Sequence, residues 1–198
     1  MDLLKYLIYI IFSYCIGSIL FAIIITKLMH LNDPRNYGSH NAGATNVMRS
    51  GNKIAGASTF LGDFLKGLLI IILAKVIFYD SNNFDLIVCL SAVFVILGHI
   101  LPIFFNFKGG KGVATFLGVL FGFHYLVGLM TCLTWLLVFL FFRISALSAI
   151  VAIFLSPLYI WMILHNILYC FITSMMAILI ILKHKSNILS ILSKISHK

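Results

Sequence analysis

Five long apolar runs fill most of this chain and limit its fold more than any other feature of the sequence. They cover residues 3–29, 54–78, 84–105, 113–142 and 144–182. One helical crossing of a lipid bilayer needs about 20 predominantly apolar residues, so each run is long enough to cross at least once. Only 10% of the 198 residues are charged, and the mean hydropathy is +1.13. These values exclude a soluble fold and predict an all-α, polytopic membrane protein with a single integral-membrane domain over residues 1–198.

The lengths of the runs decide how many helices they contain. The first run exceeds the apolar core of a signal peptide, about 7–15 residues, so we expect a retained span. The last run, with 39 residues, is long enough for two short helices, which we expect to separate near His165 and Asn166. The fourth run has 30 residues and leaves two alternatives: one long tilted helix, or two short helices that turn near Gly122, Phe123 and His124.

Charge placement favours the second alternative. Lysine and arginine are concentrated in the cytoplasmic loops of membrane proteins. With the N-terminus outside and the C-terminus in the cytoplasm, 11 of the 14 cationic residues lie on the cytoplasmic side: Lys27, Arg35, Arg49, Lys53, Lys108, Lys111, Arg143, Lys183, Lys185, Lys194 and Lys198. A five-helix arrangement would place Arg143 outside and would assign 39 residues to one helix. The sequence therefore predicts seven transmembrane helices.

The composition also limits the chemistry and the partners. Cys15, Cys89, Cys132 and Cys170 all lie inside apolar runs and form no CxxC pair, so we expect neither disulfides nor a metal site. The net charge of +9 is explained by topology-determining cations that also meet anionic lipid headgroups. We therefore expect membrane lipid, and not nucleic acid, as a partner, and no cofactor.

The longest polar segment includes the stretch NYGSHNAGATNVMRSGNK, residues 36–53. Its glycines expose backbone amides, its short polar side chains offer hydrogen bonds, and its arginine has the planar fork that suits phosphate. Two interpretations stay open: a phosphate-binding segment, or a solvated turn in which Thr45 or Asn46 caps the next helix. For the first, the candidate residues are Gly38, Ser39, Asn41, Thr45, Asn46 and Arg49.

A second polar segment, FKGGKGVAT at residues 107–115, opens directly into an apolar run. Consecutive glycine amides can form an anion-binding nest, and a helix N-terminus adds partial positive charge. The segment is not a Walker A loop, because Phe105 and Gly112 stand where that loop requires glycine and serine or threonine. The alternative is a tight interhelical turn with two anchoring lysines. The anion-binding candidates are Lys108, Gly109, Gly110, Lys111 and Gly112.

Further candidate residues are scattered along the second half of the chain. Ser145 and Ser148 follow Arg143 at the cytoplasmic end of a predicted span, where serine is more often a helix-packing residue. His184 and Asn187 come just after the last span, and they would share one face if the helix continued. Alone, these four residues indicate no particular chemistry.

Ionisable groups within the apolar runs are costly and are functional by default. Asp63 and Lys66 are three positions apart on one predicted helix, and we favour a structural ion pair that faces the bundle over a catalytic role. We expect His99 to be a hydrogen-bonded residue of the bundle, and Gly118 with Gly122 to form a helix-packing face.

Six stretches of this sequence resemble motifs of the bacterial acyl-phosphate:glycerol-3-phosphate acyltransferases, and the resemblance covers almost the whole chain. In chain order the stretches are GSILFAIIITKL (17–28), YGSHNAGATNVMR (37–49), LGDFLKG (61–67), GHILPIFFNFKGGKGVAT (98–115), RISALSA (143–149) and HKSNI (184–188). One departure is His40, which stands where the family usually has glycine.

The resemblance implies an enzyme of the bacterial inner membrane with a cytoplasmic active site. Its implied reaction transfers a fatty acyl group from acyl phosphate to sn-glycerol 3-phosphate, which yields lysophosphatidate and phosphate in phospholipid synthesis. A soluble enzyme that makes acyl phosphate is the implied partner. From the residues alone, a transporter of phosphorylated anions and a non-catalytic membrane subunit are alternatives, although transporters place their sites near the bilayer midplane.

Functional residues can be carried over position by position. The resemblance implies a phosphate-binding role for the glycine loop, and a serine near the site that matches either Ser145 or Ser148. The proton of the attacking hydroxyl would pass to a substrate phosphate or to His184. The catalytic residues that the resemblance implies are Ser39, Arg49, Lys108, Lys111, His184 and Asn187.

Overall fold

In the part of the chain that the structure describes, every regular element of secondary structure is a helix. This computed structural model describes residues 2–196, without the side chains of residues 190–192 and 194–196. The α-helices are α1 Asp2–Gly17, α2 Phe21–Leu28, α3 Ala44–Val47, α4 Lys53–Ile77, α5 Phe84–Ile100, α6 Val113–Phe123, α7 Tyr125–Phe142, α8 Ser145–Leu164, α9 Ile167–Lys183 and α10 Lys185–Ser196. Short 3-10 helices lie at Pro34–Asn36, Met48–Ser50 and Ile103–Phe105. The side chain of Lys194 and the whole of Lys198, both counted above as cytoplasmic cations, lie outside the described residues.

The chain divides into two compact units, with the boundary between Phe123 and His124. The first unit contains α1 to α6 and both glycine-rich polar segments, and the second contains α7 to α10. The single domain over residues 1–198 stays a prediction.

The two longest apolar runs are interrupted at the predicted positions. Helix α8 ends at Leu164, and His165, which follows it, has a left-handed φ of 47°. The Asn166 side chain caps α9 by accepting from the backbone N–H of Leu168. Between α6 and α7, Nδ1 of His124 accepts from the N–H of Leu126 at 3.2 Å. Run 113–142 therefore forms two helices, and the single tilted helix is wrong.

The first apolar run differs from the prediction, because it is not one continuous helix. Helices α1 and α2 meet at a bend of 44°. The break leaves the carbonyl of Ile19 without a helical partner, and Nζ of Lys66 donates to it at 2.6 Å. A contact between residues so distant in sequence cannot be recognised from the apolar pattern around the break.

Helix α4 matches its predicted span to within one residue at each end, and the interpretation of Thr45 or Asn46 as its cap, one of the two left open, is wrong. The side-chain oxygen of Asn52, rather than Thr45 or Asn46, accepts from the N–H of Ala55 at 2.9 Å. Gly51, with a φ of 87°, turns the chain into this cap.

Helix α5 ends at Ile100, and the 3-10 turn after it completes the span Phe84–Phe105, as predicted. The residue before a proline is disfavoured in the helical conformation, and Pro102 has no N–H to continue the ladder. A 3-10 turn, Ile103–Phe105, then leads into the second glycine-rich segment.

Small residues allow α4 and α6 to pack closely, as predicted for the Gly118 and Gly122 pair. A methyl group added at Gly118 would collide with the carbonyl oxygen of Phe64, and one added at Gly122 would lie 2.8 Å from Cγ2 of Ile71. Close backbone approach of this kind is how helices associate in membranes.

Three helical stretches of the described chain are long and apolar enough to cross a membrane: Phe84–Phe105, Tyr125–Phe142 and Ser145–Leu164. The number becomes four if α1 and α2 are counted as one broken span, and α6 and α9 are shorter apolar helices. Along α7, large apolar side chains are exposed, for example Leu133 at 56% and Phe141 at 82%, as on a lipid-facing surface. The seven-helix count and the orientation of the termini stay predictions.

Candidate active site

The first glycine-rich segment is held in shape by the amide of Asn46, which is only 2% exposed. Its Nδ2 donates to the carbonyl oxygens of Pro34 at 2.6 Å, Tyr37 at 3.1 Å and Asn41 at 3.2 Å. Its Oδ1 accepts from the backbone N–H of Ser39 at 2.9 Å. Because these contacts occupy both ends of the amide, Asn46 fixes the loop around Ser39, a role that its position in a polar segment did not indicate.

Arg49 lies beside the predicted serine. Gly38 has a φ of 61°, and a Cβ built there would lie 3.1 Å from Cδ and 3.2 Å from Nη1 of Arg49. The guanidinium therefore crosses the backbone directly before Ser39, and both side chains are exposed. Thr45 is exposed and Asn41 is half-buried in the same loop. The structure thus brings Gly38, Ser39 and Arg49 together, as their common segment predicts.

The second glycine-rich segment is a strained turn that opens into α6. It is entered through Asn106 and Phe107, with φ values of 51° and 59°, which side chains rarely adopt. The N–H of Gly110 donates to the carbonyl of His99 at 3.1 Å, and Gly112 has a φ of 89° just before α6 begins. The backbone therefore makes the tight turn that either predicted role of this segment requires.

The two segments meet within the first unit. A Cβ built at Gly110 would lie 2.7 Å from the carbonyl oxygen of Ala42, so the loops touch backbone to backbone. The pKa of Lys111 is lowered, first by burial and second by the positive charge of Arg49. An anion bound between these two cations would relieve their repulsion.

A polar cleft of about 590 Å³ lies next to this meeting point. Within it, Nη2 of Arg35 lies 2.7 Å from Oδ2 of Asp33, and the hydrogen bond from Arg35 lowers the pKa of the Asp33 carboxyl. His40, also in the wall, has a φ of 53°, which explains why glycine suits this position better. The lining residues are Asp33, Arg35, Asn36, His40, Phe105, Asn106, Lys108 and Gly109.

The C-terminal candidates lie in the second unit. Ser145 is the partly exposed first residue of α8, whereas Ser148 is buried and its hydroxyl donates to the carbonyl of Ile144 at 3.0 Å. His184 is buried between α9 and α10, and Asn187 is half-buried in the first turn of α10. One continuous helix through His184 and Asn187 is not present, because α9 ends at Lys183.

A hydrogen bond of the His184 ring indicates which of its two nitrogens carries the proton. Nδ1 lies 2.8 Å from the carbonyl oxygen of Ile180, and a carbonyl can only accept, so Nδ1 carries the proton. In the neutral ring, Nε2 is then the nitrogen with basic character.

Comparison with known proteins supplies the family. A family profile described as glycerol-3-phosphate acyltransferase matches residues 7–194. The curated glycerol-3-phosphate acyltransferase of Neisseria gonorrhoeae is 45% identical over 190 residues, which cover 94% of this chain and 95% of that protein. The protein of the same name from Nitrosomonas eutropha is 44% identical over 181 residues, covering 91% and 90%.

The fold agrees with this match. The crystal structure of PlsY (YgiH), an integral membrane glycerol 3-phosphate acyltransferase in its glycerol 3-phosphate form, superposes with a TM-score of 0.90 at 38% identity. The match covers 96% of this chain and 93% of that structure. This chain belongs to the glycerol-3-phosphate acyltransferase family. The predicted all-α, integral-membrane fold and the predicted acyltransferase activity are therefore confirmed.

In this acyltransferase, sequence reasoning missed two residues that shape the loops. Ala42 contributes only a carbonyl oxygen, which no side-chain pattern can reveal. His99 was assigned to the bundle in general, yet its backbone and ring both contact the second glycine-rich segment. The signal for His99 was available in the sequence: it lies ten residues before Gly109 in the same motif.

Proposed function

We propose that this acyltransferase transfers a fatty acyl group from acyl phosphate to sn-glycerol 3-phosphate and releases lysophosphatidate and phosphate. The observation that carries the proposal is the meeting of the two glycine-rich segments, where Arg49 and Lys111 place two positive charges close together. Both proposed reactants carry phosphate. A site of backbone amides and cations is suited to bind such anions and to reduce their mutual repulsion.

The reaction needs no covalent intermediate on the protein. Acyl phosphate is a mixed anhydride, so the hydroxyl oxygen of glycerol 3-phosphate attacks its carbonyl carbon directly. The new ester C–O bond forms as the C–O bond to phosphate breaks, and the hydroxyl proton passes to a phosphate oxygen or to Nε2 of His184. Holding the hydroxyl of one reactant close to the carbonyl carbon of the other, in the orientation for attack, can lower the barrier by about 7–11 kcal/mol.

In the first unit, the proposed site residues come from the two glycine-rich segments. Arg49 and Lys111 bind phosphate oxygens, and Ser39 donates a hydrogen bond beside them. Lys108 acts from the neighbouring cleft, which it lines. The N–H groups of Gly109 and Gly112 donate to the anion, and Gly110, whose N–H already donates to the carbonyl of His99, shapes the turn between them. Gly38, Asn41, Thr45 and Asn46 shape the wall of the site.

In the second unit, the proposed residues are His184 and Asn187, which the resemblance of the last motif assigns to glycerol phosphate. Between the two serines, Ser145 is the better candidate, because the hydroxyl of Ser148 already donates to a carbonyl and is buried. Lysophosphatidic acid is a ligand of PlsY in a second crystal structure, 36% identical to this chain with a TM-score of 0.88, which supports the proposed product.

The proposal includes seven membrane spans, an outside N-terminus and a cytoplasmic C-terminus in a bacterial inner membrane. The site then opens to the cytoplasm, where a soluble enzyme would supply acyl phosphate. Single cysteines at Lys5, Lys53 and Arg143, each in a variant whose four native cysteines are replaced by alanine, test this orientation in cells through a membrane-impermeant thiol reagent. We expect labelling from outside at position 5 alone; labelling at position 143 contradicts the topology.

The reaction itself is tested with purified protein in lipid nanodiscs. Acyl phosphate and glycerol 3-phosphate should yield lysophosphatidate and phosphate in equal amounts, and acyl-CoA should not replace acyl phosphate. Product from acyl-CoA alone would contradict the proposed donor. Movement of glycerol 3-phosphate into liposomes without any acylation would favour the transporter alternative.

A further inference from the structure

A cluster of four buried polar side chains lies in the first unit. Asp63, Lys66, His99 and Thr115 are each at most 4% exposed. Nζ of Lys66 lies 2.8 Å from Oδ1 of Asp63. Nδ1 of His99 lies 3.5 Å from the same carboxylate oxygen and 3.3 Å from Oγ1 of Thr115. The predicted ion pair of Asp63 and Lys66 is therefore present, and its carboxylate also lies close to His99.

The opposite edge of the His99 ring contacts the glycine loop. A Cβ built at Gly110 would collide with Nε2 of His99, so the ring lies directly against the Gly110 backbone. The carbonyl of His99 accepts from the N–H of Gly110, and a Cβ at Gly109 would collide with that same carbonyl oxygen. His99 thus touches two of the three glycines of the proposed phosphate-binding loop.

The cluster also fixes the position of the ring relative to the surrounding helices. Asp63 lies on α4, His99 on α5 and Thr115 in the first turn of α6. Lys66 connects this group to the carbonyl of Ile19, at the break between α1 and α2. Contacts with Asp63 and Thr115 converge on Nδ1 and so hold the imidazole in one orientation, with Nε2 towards the loop.

We propose that His99 is a positioning residue, which Asp63 and Thr115 orient so that its ring holds the Gly109 and Gly110 backbone in the anion-binding conformation. The inference rests on the proposed function, because it assumes that the glycine loop binds a phosphate group. His99 itself does not contact substrate. A preorganised loop loses little conformational freedom when it binds its anion. A loop that is more flexible in the free protein should therefore bind phosphate less tightly.

The test measures binding of inorganic phosphate to the full-length protein in nanodiscs, by the concentration dependence of its thermal stabilisation. His99→Asn keeps a polar atom near Asp63 and Thr115 but removes the part of the ring that contacts Gly110. We expect its affinity for phosphate to fall roughly tenfold. Unchanged affinity in a folded H99N protein would overturn the proposal.

A milder pair of variants addresses the orientation of the ring, and covers the case in which H99N does not fold. Thr115→Val removes the hydroxyl beside Nδ1 and keeps the volume, whereas Thr115→Ser keeps the hydroxyl. We expect T115V to bind phosphate about threefold more weakly and T115S to bind it normally. Equal affinity of the two variants would contradict the role of Thr115 and, with it, the orienting contacts.

The matched control is Tyr9→Phe, which removes a buried hydrogen bond of 2.6 Å to the carbonyl of Ile70. This variant should lose stability without losing phosphate affinity, since it contacts neither glycine-rich segment. Reduced affinity in Y9F as well would show general destabilisation and overturn the proposal. Acyl transfer by the wild type is measured separately, so its absence would refute the proposed function while phosphate binding still decides the role of His99.

Discussion

The first unit contains two groups of charged side chains, and their surroundings are opposite. In the interior, Asp63 and Lys66 form an ion pair of 2.8 Å. At the rim, Arg49 and Lys111 carry charges of the same sign, and the charge of Arg49 contributes to the lowered pKa of Lys111. The two charges of the interior pair neutralise each other, which suits a structural role. The two like charges at the rim repel each other and are stabilised when an anion binds between them.

The interior pair gives the largest expected effect. Lys66→Met should destabilise the protein by about 3–5 kcal/mol, because it leaves the Asp63 carboxylate buried without its partner. Thermal unfolding in detergent measures the loss. Lys53→Met, a change at an exposed lysine, is the control and should alter stability by no more than about 0.5 kcal/mol.

The double variant Asp63→Leu/Lys66→Met sharpens the same comparison. If the pair serves structure alone, removing both charges should recover much of the lost stability. A double variant as unstable as K66M would indicate that Asp63 has a further partner of equal importance.

At the rim, we expect a loss of activity without a loss of folding. Arg49→Ala and Lys111→Ala should each lower acyl-transfer turnover roughly 100- to 1000-fold, because each removes a positive charge from the proposed anion site. Turnover is measured beside thermal stability. The exposed Lys53→Ala is again the control. Near-normal turnover in both rim variants would refute their assigned roles.

Asn46 shares a feature with each of these two groups: it is buried like the interior pair, and it shapes the exposed loop at the rim. Asn46→Ala should raise the KM for glycerol 3-phosphate about tenfold, because three carbonyls and the N–H of Ser39 lose their partner. Steady-state kinetics test this expectation, with the exposed Asn32→Ala as the control. An unchanged KM would mean that the loop keeps its shape without this amide.

The lowered pKa of Lys111 predicts how anion binding depends on pH. Above about pH 8 glycerol 3-phosphate stays a dianion, so weaker binding at higher pH reports loss of the lysine charge. As the pH is raised, the affinity should fall with a midpoint below 10.5, the usual pKa of lysine. Arg49→Gln removes the repulsion and should move the fall to higher pH, although binding is weaker. Identical midpoints in both proteins would contradict the proximity of the two cations.

His40 gives the smallest expected effect. His40→Gly relieves a left-handed backbone conformation, which costs a non-glycine residue about 1–2 kcal/mol, but it increases the freedom of the unfolded chain. The two effects nearly cancel, so thermal stability should change by less than about 1 kcal/mol and turnover by less than about twofold. A large loss of turnover would give the imidazole a direct role.

The two internal breaks were predictable. Run length predicted the break in residues 144–182, charge placement favoured two helices in residues 113–142, and each run splits at the polar position expected. The bend between α1 and α2 was not predictable, because its carbonyl is satisfied by Lys66 from another helix. The span Phe84–Phe105 has the predicted bounds, but the change from α-helix to 3-10 helix near Pro102 was not predicted, because the apolar pattern continues past it.

The site was predictable in its residue types but not in its contacts. Glycines and cations in two segments indicated phosphate, and the structure places Gly110 against Ala42. Asn46 shows the limit: the sequence predicts a polar group in the right loop, while only the fold reveals that its amide is occupied by four backbone groups. Long-range contacts of this kind leave no local pattern.

The central claim is that the two glycine-rich segments form one anion site, and a double-mutant cycle tests it most directly. Binding of glycerol 3-phosphate is measured for the wild type, Arg49→Ala, Lys111→Ala and the double variant, without any acyl donor. Residues that hold one phosphate should be coupled by about 0.5–3 kcal/mol. Losses that add without coupling would mean that Arg49 and Lys111 serve separate sites, which contradicts this account.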